Sequence, residues 1–359
     1  MKICITGELL GNRPFTGVEN YAYQLIRTLS ESTADDLWVL GPPGLDPGLF
    51  NPNVNLLVHK PLKYPGRYSL SAVLMPPRCL HEFDIVHCPT VAAPFFFRPR
   101  AKVVMTVHDL IPILHPRWHI LRRRLYFNCF LRYRIRFVDH LIAVSANTKR
   151  DLVRCFNIAP EKISVSYNGV SKHFRPGTGK KKKCILAVGT IEPRKNLRRV
   201  IQAFVLLKKK HNLPHKLMIA GAPGWYCQEE LKLVEKHRAC IELLGYVPDE
   251  DLPALYRQAA CLVYPSLYEG FGLPVIEAMA CGCPVIASDR SSLPEIAGDA
   301  ALQVNPYDIG ELADAILRVA MDASLREKMS ALGLKKSAEF SWQRCAERTL
   351  QIYDKVLSN

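Results

Sequence analysis

The chain has no run of about 18 apolar residues, so nothing in it reads as a helix that spans a bilayer. No stretch of signal-peptide character precedes the opening Met1-Lys-Ile-Cys-Ile, which already reads as a first strand, and a cytoplasmic location is expected. Its 12 cysteines include no pair of C-x-x-C clusters, and Cys4, Cys184 and Cys261 sit inside apolar runs. This favours buried free thiols in a reducing compartment over a disulfide framework, with Cys281-Gly-Cys283 as packing rather than a metal site. The loop after the first strand, Gly7 to Gly17, lacks G-x-G-x-x-G, so the dinucleotide fingerprint is missing. No D-x-D reads as holding a metal between phosphates, and no enzyme nucleophile is evident. Acids are scarce: 33 Asp and Glu against 48 Lys and Arg leave a net charge of +15. Such a field attracts nucleic acid, anionic lipid and phosphorylated small molecules, and charge alone does not choose among them.

An apolar fraction of 48% with 23% charged residues is that of a soluble globular protein. At 359 residues the prior is two domains of about 170 residues each. The most informative stretch runs from Tyr264 to Pro284, YPSLYEGFGLPVIEAMACGCP. A short buried run, Cys261 to Tyr264, gives way to a loop with Gly270, Phe271 and Gly272, and then to a helix with Pro274 in its first turn, continued by Val275, Ile276, Ala278, Met279 and Ala280. Glycines let a ligand approach the main-chain N–H groups, and a helix opening from such a loop offers partial positive charge to an anion such as a diphosphate. Glu277 reads as a first-turn residue; a carboxylate there would repel phosphate, so it is expected to face neutral ribose hydroxyls instead. Glu269, in the loop, could hold the hydroxyls of a second sugar. Taken alone, the same pair also reads as a solvated loop acid and an ordinary helix-start acid.

Short β-like runs recur along the first half: Lys2 to Thr6, Leu37 to Leu40, Asn55 to Val58, Ile85 to Cys88, Val103 to Val107, Leu141 to Val144 and Ser164 to Tyr167. Val18, Tyr21, Ala22, Leu25, Ile26 and Leu29 fall at helical spacing between the first two, and Ser145 reads as the cap of a helix from Asn147. The pattern suggests a parallel sheet with crossovers, whose ligands bind beyond the carboxyl ends of the strands. His108 and Asp109 stand there, after VVMTV, as functional groups or as a satisfied histidine and a backbone-orienting acid. Arg117 to Arg136 carries seven arginines and no acid among aromatics. With Arg122, Arg123 and Arg124 it reads as a membrane-surface or anionic-acceptor site, or as a core helix whose arginine stems reach solvent. No nucleic-acid recognition module accompanies it. PGTGKKKK, Pro176 to Lys183, reads as a linker. Strands then restart at Cys184 to Val188, Leu217 to Ala220, Ile241 to Leu244, Pro284 to Ser288 and Ala301 to Val304. Arg194 and Lys195 follow the first of these and are placed for a diphosphate, since cations at a helix start are unfavourable unless an anion visits.

The stretch EGFGLPVIEAMACGCPVIAS closely resembles the donor-site signature, E-x7-E, of the retaining glycosyltransferases of family 4. TGVE, TVHDLIPILHP, SYNGVSKHFRP, GTIEPRKN and the terminal FSW helix extend the resemblance over nearly the whole chain. It implies an α/β protein of the GT-B fold: two Rossmann-like domains with parallel sheets facing a central cleft. Residues 1–172 would bind acceptor, 173–340 a nucleoside-diphosphate sugar, and the helix of 341–359 would cross back to the first domain. It also implies that Gly17 reaches the donor phosphates, that His108 touches the transferred sugar, that Lys195 neutralises the leaving diphosphate, and that Tyr246 and Val247 lie beside the base. Together with Arg194, Gly270, Phe271, Gly272, Leu273, Glu269 and Glu277 these make up the expected site. No metal or other cofactor is expected. The wording is closest to bacterial mannosyltransferases, so the expectation is mannose from GDP-mannose to a lipid-linked or oligosaccharide acceptor in cell-surface polysaccharide synthesis, at the inner face of the membrane. A nucleotide-sugar 2-epimerase on the same fold, or a noncatalytic basic binding protein, are the rival classes.

Overall fold

The computed structural model describes residues 1–7, 10, 15, 17–42, 44–58, 80–91, 99–118, 131–178 and 181–358. Arg122, Arg123 and Arg124 lie outside the described residues. The chain forms two compact units, Met1–Gly169 with Ser341–Asn359, and Val170–Phe340.

Among the described residues the first unit has seven strands: β1 (Lys2–Thr6), β2 (Asp36–Gly41), β3 (Val54–Val58), β4 (Ile85–Cys88), β5 (Lys102–Val107), β6 (His140–Ala143) and β7 (Ile163–Val165). They pair in parallel in the order β3-β2-β1-β4-β5-β6-β7. Strands β4 and β6 are buried at every position, as a parallel sheet covered on both faces demands, which is why they read as continuous apolar runs. The Gly17–Ser32 helix turns Tyr21, Ala22, Leu25, Ile26 and Leu29 inward at 3.6-residue spacing. They share a core with Ile3 and Ile5 of β1 and with Cys345, Ala346, Ile352 and Tyr353 of the terminal helix, Trp342–Leu357. A Cβ on Gly169 would lie 2.1 Å from the Trp342 nitrogen, so only glycine lets the chain pass the start of that helix. Ser145 caps a helix that begins at Ala146, one residue earlier than the spacing suggested, with its hydroxyl accepting the Thr148 N–H at 3.0 Å.

A buried polar chain ties the terminal helix to the sheet. Tyr353 OH lies 2.6 Å from His87 Nδ1, His87 Nε2 lies 2.8 Å from Thr106 Oγ1, and that hydroxyl lies 3.1 Å from Tyr21 OH. Burial holds the His87 pKa down at about 3, so the ring is neutral and must donate through one nitrogen and accept through the other. Both of its neighbours are therefore needed.

The second unit restarts the architecture with β8 (Cys184–Val188), β9 (Lys216–Ala220), β10 (Ile241–Gly245), β11 (Cys261–Tyr264), β12 (Val285–Ser288) and β13 (Ala301–Val304). All pair in parallel in the order β10-β9-β8-β11-β12-β13. Ile185, Leu217, Ile219, Val263 and Ile286 from the strands pack with Val200 and Phe204 of the Leu197–His211 helix and Ile316 of the Ile309–Met321 helix. The cysteines among the described residues are free thiols, most of them buried.

Tyr353→Phe, which strands one nitrogen of His87, is expected to cost about 1–3 kcal/mol of stability, the desolvation penalty of a buried unpaired polar group. Urea unfolding of the variant beside the wild type measures it.

Candidate active site

Strand order in the second unit reverses between β8 and β11: the strands after β8 extend one way and those after β11 the other. Such a switch leaves a crevice at the carboxyl ends of the two strands. The loops that leave these ends carry the residues singled out above. They are fixed to each other through bonds to main-chain carbonyls before any charged side chain is considered. Asn196 adopts a left-handed φ of 59°, and its buried amide donates to the carbonyls of Pro265, at 3.1 Å, and Pro306, at 2.7 Å. The Leu267 N–H donates to the Arg194 carbonyl at 2.8 Å.

Between these loops lies a buried ionic cluster. Glu269 Oε1 accepts from Lys195 Nζ at 2.7 Å and from Tyr264 OH at 2.8 Å, while Oε2 pairs with Arg194 Nη1. Arg194 Nε is also paired with Glu192 at 2.6 Å, and the Lys195 ammonium bonds the Tyr264 hydroxyl and lies 4.6 Å from its ring centroid. The side chains of Arg194, Lys195 and Glu269 are only 20%, 13% and 8% exposed, so water screens these charges little. Burial alone would raise the Glu269 pKa; Arg194 and Lys195 outweigh it and hold the carboxyl at about 2. Lys195 is pushed down by burial and by Arg194, against the pull of Glu269. The two cations thus hold one internal carboxylate between them.

Gly272 opens the Leu273–Ala280 helix with a φ of +112°, and a Cβ there would strike Leu293 at 2.6 Å. Glycine is required at this turn. Glu277 is the fifth residue of that helix, not a first-turn residue, because the helix already starts at Leu273 and its first turn carries no acid. Instead of compensating the helix dipole, its carboxyl is buried and accepts from Tyr256 OH at 3.0 Å. Burial, with repulsion from Asp249, raises its pKa to about 8, so at neutral pH Glu277 carries a proton and can donate as well as accept. Gly270 and Phe271 are buried in the loop between, with the Phe271 ring edge-on to Phe340 at 5.8 Å; Leu273 is half-buried. Tyr246 is exposed just beyond β10.

The first unit holds the other two expected residues. His108 follows β5, and its Nε2 donates to the Pro89 carbonyl at 2.8 Å, so Nδ1 bears the lone pair; burial lowers its pKa. Its ring packs edge-on against Tyr21 at 4.7 Å. Asp109 accepts the Ile111 N–H at 3.0 Å, the backbone-orienting alternative. Gly17 is the exposed first residue of its helix, and among the described residues nothing lies within 4 Å of a Cβ placed there. The structure therefore brings Arg194, Lys195, Glu269 and the 270–273 loop together in one unit, and adds Tyr264, Glu192 and Tyr256, to which no role was assigned above. Asp249-Glu250-Asp251 has D-x-D spacing, but Asp249 is paired with His173 at 2.9 Å and no cluster suited to a metal ion is formed among the described residues.

Residues 171–336 match the family model described as glycosyl transferases group 1, and residues 15–174 the model of glycosyltransferase family 4. The O-antigen chain mannosyltransferase B of Escherichia coli is 36% identical over 278 residues, 72% of either chain. Sucrose-phosphate synthase from Thermosynechococcus elongatus superposes with a TM-score of 0.78 over 100% of this chain and 99% of its own, at 20% identity. Anabaena HepE in complex with UDP and glucose gives 0.77 over 99% of both chains, at 17% identity. At such identities the two structures bear on the fold alone.

A carboxyl whose folded pKa of about 8 exceeds its ordinary 4.5 contributes stability that is complete below 4.5 and lost as pH rises through 8. Glu277→Gln should therefore flatten the fall in unfolding free energy over that window, and denaturant melts at pH 5 and 8.5 on both proteins will read the difference.

Proposed function

The chain belongs to glycosyltransferase family 4 and has the GT-B fold, and on that premise we propose that it moves mannose from GDP-mannose, with retention at the anomeric carbon. The proposed acceptor is a lipid-linked or oligosaccharide hydroxyl in cell-surface polysaccharide synthesis, consistent with the O-antigen role in its relative's name. The observation that carries the reading is the buried Arg194–Lys195 pair at the switch point, held by an internal carboxylate and opening beside a glycine-started helix.

A diphosphate entering this site takes over the two cations. Arg194 offers a planar fork and Lys195 a point charge, and the N–H groups at the start of the Leu273–Ala280 helix add partial positive charge. Displaced from the cations, Glu269 becomes free to accept the hydroxyls of the transferred sugar. Glu277, beside Tyr256, takes the ribose hydroxyls. In the first unit, His108 Nδ1 keeps a lone pair that can accept from a hydroxyl. As the bond from the anomeric carbon to the diphosphate oxygen breaks, negative charge grows on the leaving group where Lys195 and Arg194 already stand. The acceptor oxygen bonds to the anomeric carbon on the same face and its proton passes to the departing diphosphate. The side-chain cations supply the charge that a metal would, so no metal is assigned. No helix among the described residues is long and apolar enough to cross a membrane.

Transfer is assayed with GDP-mannose, UDP-glucose as comparison, and a lipid-linked oligosaccharide acceptor. Lys195→Ala should lower turnover about 100-fold, the few kcal/mol of one preorganised charge contact. Glu269→Gln should also lower turnover, yet tighten GDP binding, because it removes the carboxylate that competes for both cations. GDP released without acceptor, or turnover untouched by Lys195→Ala, sinks the proposal.

A further inference from the structure

Ser291, in the segment that leaves β12, has a φ of +55°. That left-handed conformation is uncommon for a residue with a Cβ and is ordinarily met by glycine or asparagine. Three of the other four described non-glycine residues with positive φ are asparagines, Asn157, Asn196 and Asn212; Tyr226 is the fourth. A glycine at 291 would satisfy the same backbone without strain. What serine adds is its hydroxyl, and that hydroxyl accepts the main-chain N–H of Glu269 at 2.9 Å.

The neighbouring Ser292 completes the grip. It is fully buried, and its hydroxyl proton is shared between the carbonyls of Glu269, at 3.0 Å, and Phe271, at 2.8 Å. Both main-chain polar groups of Glu269 are thus held from one segment. The hold matters because Gly270 follows directly and has no side chain to anchor the loop. Backbone strain persists where the surroundings enforce it, and here it points a hydroxyl at the residue that bridges Lys195 and Arg194.

We propose that Ser291 is a positioning residue for the transfer reaction: through the Glu269 amide it fixes where the Glu269 carboxylate stands when the donor sugar is bound. This rests on the reading of Glu269 as a donor-sugar contact. A positioning role differs from a packing role in what it predicts for two variants. Ser291→Ala keeps the Cβ, and with it the strained backbone, but loses the hydroxyl; Ser291→Gly loses the hydroxyl and the strain together.

The test measures melting temperature, GDP affinity by calorimetry, and kcat and KM for GDP-mannose in both variants and the wild type. Ser291→Gly should melt above Ser291→Ala, yet both should lose about 10-fold in kcat, as expected when a reacting group is misplaced by a fraction of an ångström. GDP affinity should not fall, because Arg194 and Lys195 are untouched and a loosened Glu269 competes for them no more strongly than in the wild type. A Ser291→Gly enzyme with wild-type kcat, or a kcat that simply follows melting temperature across the three proteins, overturns the proposal. Wild-type protein that neither binds GDP nor transfers mannose overturns the underlying reading first, and is distinguished because the variants then have nothing to lose.

Discussion

Two buried cations and the carboxylate between them are the feature on which the second unit depends. Taking Arg194, Lys195 and Glu269 out of water is expensive, and their mutual attraction offsets that cost only if the geometry is held. The fold holds it through bonds to main chain: the Asn196 amide to two carbonyls, the Leu267 N–H to the Arg194 carbonyl, and the Ser291 and Ser292 hydroxyls to the Glu269 N–H and carbonyl. Strand order supplies the rest, since only the β8–β11 switch brings the loop of GTIEPRKN against the loop of EGFG. The cluster is balanced in the structure, and an arriving anion has to contest it. In the proposed reaction, binding and release of the leaving group are two directions of one exchange between the carboxylate and the diphosphate.

The two expected glutamates resolve into opposite electrostatic states. Glu269 faces cations and is held ionised, whereas Glu277, one helical turn and more away, faces a tyrosine hydroxyl and a distant acid and keeps its proton. Environment separates residues that a motif writes with the same letter. In the first unit a comparable economy applies to His108, whose Nε2–H is committed to Pro89 and whose other nitrogen keeps its lone pair.

Most of the architecture was legible because buried parallel strands must be short apolar runs, and each run quoted from the sequence became a strand whose ends differ by at most two residues. Arg194, Lys195, Glu269 and Gly272 were legible for a related reason: their positions after strands β8 and β11 follow from local spacing. Contacts that close over long distances were not. Nothing in sequence joins Tyr256 to Glu277 across 21 residues, or His87 to Tyr353 across 266. Glu277 was placed one turn too early because Gly272 and Pro274 announce a helix start without showing that Leu273 already belongs to it. Ser291 left no trace, since serine, unlike glycine or asparagine, does not announce a left-handed backbone.

On the proposed function, the Arg194–Lys195 pair is the seat of a nucleoside diphosphate. Calorimetric titration with GDP, repeated with inorganic pyrophosphate present and with Lys195→Ala protein, tests it most directly. The expected result is one GDP per chain, displaced by pyrophosphate and bound far more weakly in the variant. GDP binding that ignores both pyrophosphate and the loss of Lys195 would contradict it, and would put the diphosphate somewhere other than on these two cations.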